Sequence, residues 1–163
     1  MQQATAFHNI NPIYNQESKI LVLGSFPSVK SREGQFFYDH PQNRFWKVLA
    51  GVFESEVPQT HADKKAFLLA NRIALWDVLA SCEISGSSDS SIKNAVPNDL
   101  SRILDTAPIQ TIYCNGATAF KYYNQYACEM TGMQSIKLPS TSPANAAFSL
   151  PKLIEHWQVI RSD

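Results

Sequence analysis

The run Lys19-Ile-Leu-Val-Leu-Gly24 limits what this chain can fold into more than any other stretch. Its four consecutive apolar residues show no polar alternation, so a strand built from them must be covered on both faces. Strands of that kind sit in parallel sheets with helices packed above and below. Later segments supply the partners. Ile109-Gln-Thr-Ile-Tyr-Cys114 runs into Asn115-Gly116, and Ser135-Ile-Lys-Leu138 runs into Pro139-Ser-Thr-Ser-Pro-Ala-Asn145. Ile73-Ala-Leu-Trp-Asp-Val-Leu79 reads as the remaining strand, although its pattern also fits a helix.

Helical spacing appears between these runs. Phe45, Val48, Leu49 and Val52 share a face of a helix from Arg44 to about Val52, with Asn43 as its N-cap. A helix over 61–72 would bury Ala66, Leu69, Ala70 and Ile73. Asn98 is expected to cap a helix from Asp99 to Asp105, which Pro108 prevents from continuing. Ala117–Ala127 and Pro151–Ile160 complete the set, the last with Pro in its first turn and Leu153, Ile154, Trp157 and Ile160 inward. Residues 1–18 read as an irregular lead-in, 29–42 as a long connection and Ser85–Ser91 as a surface loop. The alternation predicts one domain over 1–163, a three-layer α/β/α sandwich with a central four-stranded parallel sheet. Ligands bind such sheets outside the carboxyl ends of the strands. The loops at Gly24–Ser28, Asn115-Gly116 and Ser140–Asn145 should therefore converge on one mouth.

Composition narrows the chemistry. The hydrophobic fraction is 44% and the charged fraction 17%, as in a globular protein, and the formal net charge is zero. That balance argues against a large basic surface, so contact with nucleic acid must use a local patch or backbone donors. Cys82, Cys114 and Cys128 form no C-x-x-C pair, which makes a disulfide framework, zinc or an iron–sulfur cluster unexpected. Reduced thiols suit the cytoplasm. The first residues show no basic region followed by an apolar run, and no stretch approaches the ~20 apolar residues of a membrane span.

The familiar catalytic motifs are missing. Gly24-Ser-Phe-Pro-Ser-Val-Lys-Ser31 follows a strand as a phosphate loop does, but Val29 stands where that loop needs glycine and Pro27 removes an N–H. There is no G-x-S-x-G, and His8, His40, His61 and His156 lack metal-ligand spacing. No metal or cofactor is expected. Asp99 in a helix's first turn is explained by the dipole, whereas Asp77 is a minor candidate for general-base work. Phe36-Phe-Tyr-Asp-His-Pro-Gln-Asn-Arg-Phe-Trp46 is the most unusual segment. It can simply close one end of the core with Asn43 as cap, or it can supply an aromatic wall and an amide to a pocket for a planar base. Composition alone favours the first reading for Tyr38 and Asn43.

Three blocks nevertheless resemble the uracil-DNA glycosylase superfamily: Gly24-Ser-Phe-Pro-Ser28 after a strand, His40-Pro-Gln-Asn-Arg-Phe-Trp46, and Leu138-Pro-Ser-Thr-Ser-Pro-Ala-Asn145. Each alone is weak; their order and spacing, from about Lys19 to the last helix, make the signal strong. The first and last blocks most resemble the hypoxanthine-DNA glycosylase (deoxyinosine glycosylase) branch. The resemblance implies a monomeric, cofactor-free and metal-free hydrolase that removes a deaminated base from DNA without nicking the strand. Other branches orient the attacking water with Asn or Asp where this chain has Phe26, and stabilise the leaving base with His or Asn where it has Ser140. The resemblance passes the water-holding role to Asn43. It puts Gly24, Ser25, Phe26, Tyr38 and Asn115 in the base pocket, Tyr38 stacking on the base and Asn115 reading its edge. Ser28, Ser31, Ser140, Ser142, Pro143 and Asn145 then belong to loops that touch DNA. A uracil or mismatch-specific glycosylase and a non-catalytic DNA-lesion-binding module are the alternatives.

Overall fold

The computed structural model describes residues 4–161. In chain order its strands are β1 (Ala4–Phe7), β2 (Ile20–Gly24), β3 (Ile73–Asp77), β4 (Leu79–Ile84), β5 (Lys93–Pro97), β6 (Thr111–Asn115) and β7 (Ser135–Leu138). The expected parallel sheet is present, in the order β3-β2-β6-β7. All five residues of β2 and of β3 are buried, as strands covered on both faces must be.

The helices are α1 (Val29–Gly34), α2 (Phe45–Val52), α3 (His61–Ala70), α4 (Ser101–Leu104), α5 (Ala117–Tyr122), α6 (Cys128–Thr131) and α7 (Leu150–Trp157). A π turn over Tyr123–Ala127 joins α5 to α6. From β2 the chain steps one way along the sheet to β3, and from β6 it steps the opposite way to β7. Right-handed crossovers then put α2 and α3 on one face and α5 and α6 on the other. The helix α7 packs on α2 so closely that a Cβ on Gly51 would lie 2.4 Å from Ile154 Cδ1. Among the described residues no helix is long and apolar enough to cross a membrane.

Several expectations need correction. The lead-in is not irregular throughout: β1 pairs antiparallel with β4, and Ile13 bridges Leu75 at the edge of the parallel sheet. The run 73–79 is not one strand. It breaks at Val78, whose N–H donates to Gly24 O, and β4 enters a second, antiparallel sheet in the order β1-β4-β5. An apolar run shows no seam where a chain leaves one sheet for another, because both sides are buried. The connection after β2 holds α1, capped by the Ser28 hydroxyl, which accepts from Ser31 N at 3.1 Å.

Asn98 caps no helix. It is buried and donates to Asp77 O and Leu79 O, tying the seam between the sheets. In α3 the fully buried residue is Leu68, while Ala66 and Ala70 face solvent. Asn43 is not the N-cap of α2: the helix begins at Phe45 with Arg44 in the cap position, and Asn43 Oδ1 accepts from Phe45 N at 2.9 Å in the turn that precedes it.

Candidate active site

A slot of about 340 Å³ opens at the carboxyl end of the parallel sheet. The loops after β2, β6 and β7 meet there, because parallel strands release their chains at one end. Gly24, Ser25, Phe26 and Ser28 form one side, and Ser140, Ser142 and Pro143 another. Tyr38, Asn43 and Asn115 also line it. Asn145 stands behind the lining, its amide donating to Ser140 O at 3.0 Å. Ser31 borders the slot but is only 2% exposed. Its hydroxyl takes hydrogen bonds from Asp39 N and Ser28 Oγ, so it is turned inward rather than toward a DNA backbone.

One wall is a continuous chain of amides and a hydroxyl. Thr141, fully buried, donates from Oγ1 to Asn43 Oδ1 at 2.9 Å. Asn115 grips the same threonine twice, Nδ2 to Thr141 Oγ1 and Oδ1 from Thr141 N, both at 3.0 Å. Both ends of Asn115 therefore hold the loop after β7, each retaining capacity for one more bond. With Phe45 N also on Asn43 Oδ1, the amide nitrogen is the end of Asn43 left for a ligand. Arg44 fastens the same loop from outside, donating to Ser142 O at 2.9 Å, Asn145 O at 3.0 Å and Phe148 O.

The opposite wall carries charge. Asp77 ends β3 in register with Gly24 and is 3% exposed, and His8 Nε2 lies 2.8 Å from its Oδ2. Tyr38 stacks on Phe45 with ring centroids 4.0 Å apart. Its backbone adopts φ 51°, a left-handed conformation disfavoured for a residue with an aromatic side chain. Burial, and then the Asp77 carboxylate, push its phenol well above the ordinary value, so the hydroxyl keeps its proton.

The 85–91 segment, expected to be only a surface loop, closes the rim. Ser25 Oγ donates to Asp89 Oδ1 at 3.1 Å, and Ser87 Oγ accepts from Val29 N at 2.9 Å. Desolvation in the slot raises the Asp89 carboxyl above its ordinary value, with the Ser25 hydroxyl opposing and Asp77 adding to the rise. Thr141, Asp89 and His8 are the site residues that sequence reasoning missed. A Ser-Thr-Ser-Pro loop at a strand end was the available signal for Thr141. Nothing local marks His8, which lies 69 residues from its partner.

Comparison with known proteins agrees with the three-block resemblance. The profile of the Uracil DNA glycosylase superfamily matches residues 12–161. A protein of Methanosarcina acetivorans named hypoxanthine DNA glycosylase is 33% identical over 150 residues, covering 91% of this chain and 93% of its own. One of the same name from Methanosarcina barkeri is 29% identical, covering 82% and 85%. The solution NMR structure of a candidate uracil DNA glycosylase from Methanosarcina acetivorans superposes with a TM-score of 0.77. It is 29% identical, over 93% of this chain and 96% of that one. The slot lies at the strand ends that these loops define, and the profile spans it: this chain belongs to the uracil DNA glycosylase superfamily.

Proposed function

We propose that the protein is a monofunctional DNA glycosylase that hydrolyses the N-glycosidic bond of a deaminated base, hypoxanthine first. The base would be rotated out of the duplex into the slot, since it cannot be reached inside the stack. Relatives named hypoxanthine DNA glycosylase support the choice of base. Tyr38, backed by Phe45, presents an aromatic ring for the flipped base to stack on.

Breaking the bond leaves an oxocarbenium-like sugar, and the electron pair departs with the base. Backbone N–H groups of the Gly24–Ser28 loop, Pro27 excepted, suit that growing negative charge as an oxyanion hole does. Water then adds its oxygen to C1′ and gives up a proton to solvent, while the departing base anion takes one up, so the products are the 1′-hydroxyl sugar and the neutral free base. Asn43 does not titrate, so its part is to hold this water by its free amide nitrogen, which is positioning rather than proton abstraction. The observation that carries the reading is the orientation of that amide. Its oxygen is engaged by Thr141 and Phe45 N, leaving only the nitrogen to act. The role needs no metal. Asn115 serves by fixing Thr141, and Ser28, Ser140 and Ser142 sit on the loops that would meet the DNA backbone.

The test is base release, with EDTA present, from duplexes carrying inosine, uracil or xanthine opposite each normal base. Release from inosine is expected, and Asn43→Ala is expected to lose most of it. Retention of damaged duplex with no base released at any time would make the protein a lesion binder instead.

A further inference from the structure

Asp89 stands at the mouth of the slot without a partner of opposite charge. The 85–91 segment leaves β4 and presents this side chain to the slot from a short 3-10 turn, Asp89–Ser91. Two loops hold its carboxyl. Ser25 Oγ, from the loop after β2, donates to Oδ1 at 3.1 Å, and the Thr118 hydroxyl in the first turn of α5 is a second polar neighbour. Arg32 Nη2 donates to Gly86 O at 2.8 Å, so the nearby guanidinium is engaged by the backbone of the segment. Among the described residues no cation forms an ion pair with Asp89.

An ionised carboxylate is a poor choice for this place. It would repel the phosphates of DNA at the mouth and oppose the negative charge gathering on a departing base. That base would leave against the Gly24–Ser28 loop, the one that carries Ser25. Protonated, the same group supplies a proton where negative charge grows. Its surroundings favour that form. Burial of the carboxyl raises it above its ordinary value and the Asp77 carboxylate adds to the rise, the Ser25 and Thr118 hydroxyls opposing only in part. As a residue Asp89 is exposed at the rim, so a proton given up can be replaced from water. Hypoxanthine offers a fitting acceptor in N7, a purine lone pair that takes no part in Watson–Crick pairing.

We infer that Asp89 is the catalytic acid of the slot, giving its proton to N7 of the flipped purine as the glycosidic bond breaks. The electron pair of the bond moves to N9, the proton on N7 balances it, and the base leaves neutral. Asp89 is left as a carboxylate and regains a proton from solvent. The water held at Asn43 adds to C1′ and gives up one of its own. The inference rests on the glycosylase reading and adds the residue that turns a purine into a good leaving group.

Single-turnover release from inosine and from 7-deazainosine, in which a C–H replaces N7, tests it over about pH 4 to 8. Wild-type release from inosine should be fastest at low pH and decline as Asp89 ionises. Asp89→Asn keeps an acceptor for Ser25 Oγ but has no proton to give. Release should fall about 100-fold and the decline with pH should vanish. Other ionisable groups surround the rim: Asp77 with His8 behind it, Tyr38, His40, Cys82, Tyr122 and Arg32. The decline is therefore assigned by its loss in this variant. On 7-deazainosine, wild type and Asp89→Asn should be equally slow, since neither finds an atom to protonate. A variant that matches wild type on inosine, or that loses as much on 7-deazainosine, overturns the acid, as does a decline that persists in it. Should the variant fail to fold, wild type releasing both bases at one rate does the same. No release from inosine by wild type at any pH refutes the glycosylase reading and the acid with it; the other adverse outcomes sink the acid alone.

Discussion

The two walls of the slot are built on opposite plans. The wall of Asn43, Thr141 and Asn115 is neutral and internally bonded, every member holding another at 2.9–3.0 Å. The wall of Asp77 and Tyr38 joins a buried carboxyl, held from behind by His8 Nε2 at 2.8 Å, to a buried phenol. A satisfied network holds its atoms in place. The first wall is built from β6, the loop after β7 and Asn43 just before α2, the second from the end of β3 and from Tyr38 earlier in that same connection.

That contrast can be broken, beginning with the largest effect. Asn43→Ala removes the amide nitrogen proposed to hold water, and single-turnover release from inosine should fall about 100- to 1000-fold. Loss of its bond to Phe45 N should lower stability by only ~1 kcal/mol. A stability loss with full turnover would place the water elsewhere. Gly24→Ala would drive a methyl between Asp77 Oδ1 and the Tyr38 hydroxyl. Release should fall at least about 10-fold, because a core side chain cannot move aside without strain. Release equal to wild type would show that the slot floor tolerates the added methyl.

Thr141→Val keeps the volume of the side chain but strips the hydroxyl shared by Asn43 and Asn115. Denaturant melts should show a loss of ~1–3 kcal/mol, and release should drop about 10-fold without a change in base preference. A changed preference would mean that the two walls are coupled. The smallest effect is alkaline. The Tyr38 phenol is raised above the ordinary tyrosine value of 10.0 in the folded protein, so its contribution to stability is complete below about pH 10. As pH rises further the unfolded chain ionises first and the contribution is lost. Wild type should therefore lose more stability than Tyr38→Phe between about pH 9 and 11. Parallel losses would place the phenol in contact with water.

The strand β2 was legible because its burial is uninterrupted, whereas β6 and the mostly unburied β7 were placed by the Asn-Gly and Pro-rich turns that end them. The convergence of their loops followed from parallel pairing. The second sheet was hidden because β1 spans only four residues and β4 continues the apolar run of β3 past Val78. The Asn98 amide looked like a helix cap because its chemistry is the same whether it meets a free N–H or, as here, two carbonyls at a seam. In the site, Asn43 and Tyr38 could be named from a block of residues close in sequence. Thr141 could not be separated from its serine neighbours, and the joining of His8 to Asp77 left no local trace.

Hydrophobic periodicity acts between neighbours along the chain, so it specified the sheet, its direction and the end at which a ligand would bind. Hydrogen bonds at the slot join residues up to 104 positions apart, and their geometry exists only once the layers are packed. Packing alone decided which atom of Asn43 faces the slot, that Asn115 holds Thr141, and that a carboxylate and a phenol meet above Gly24.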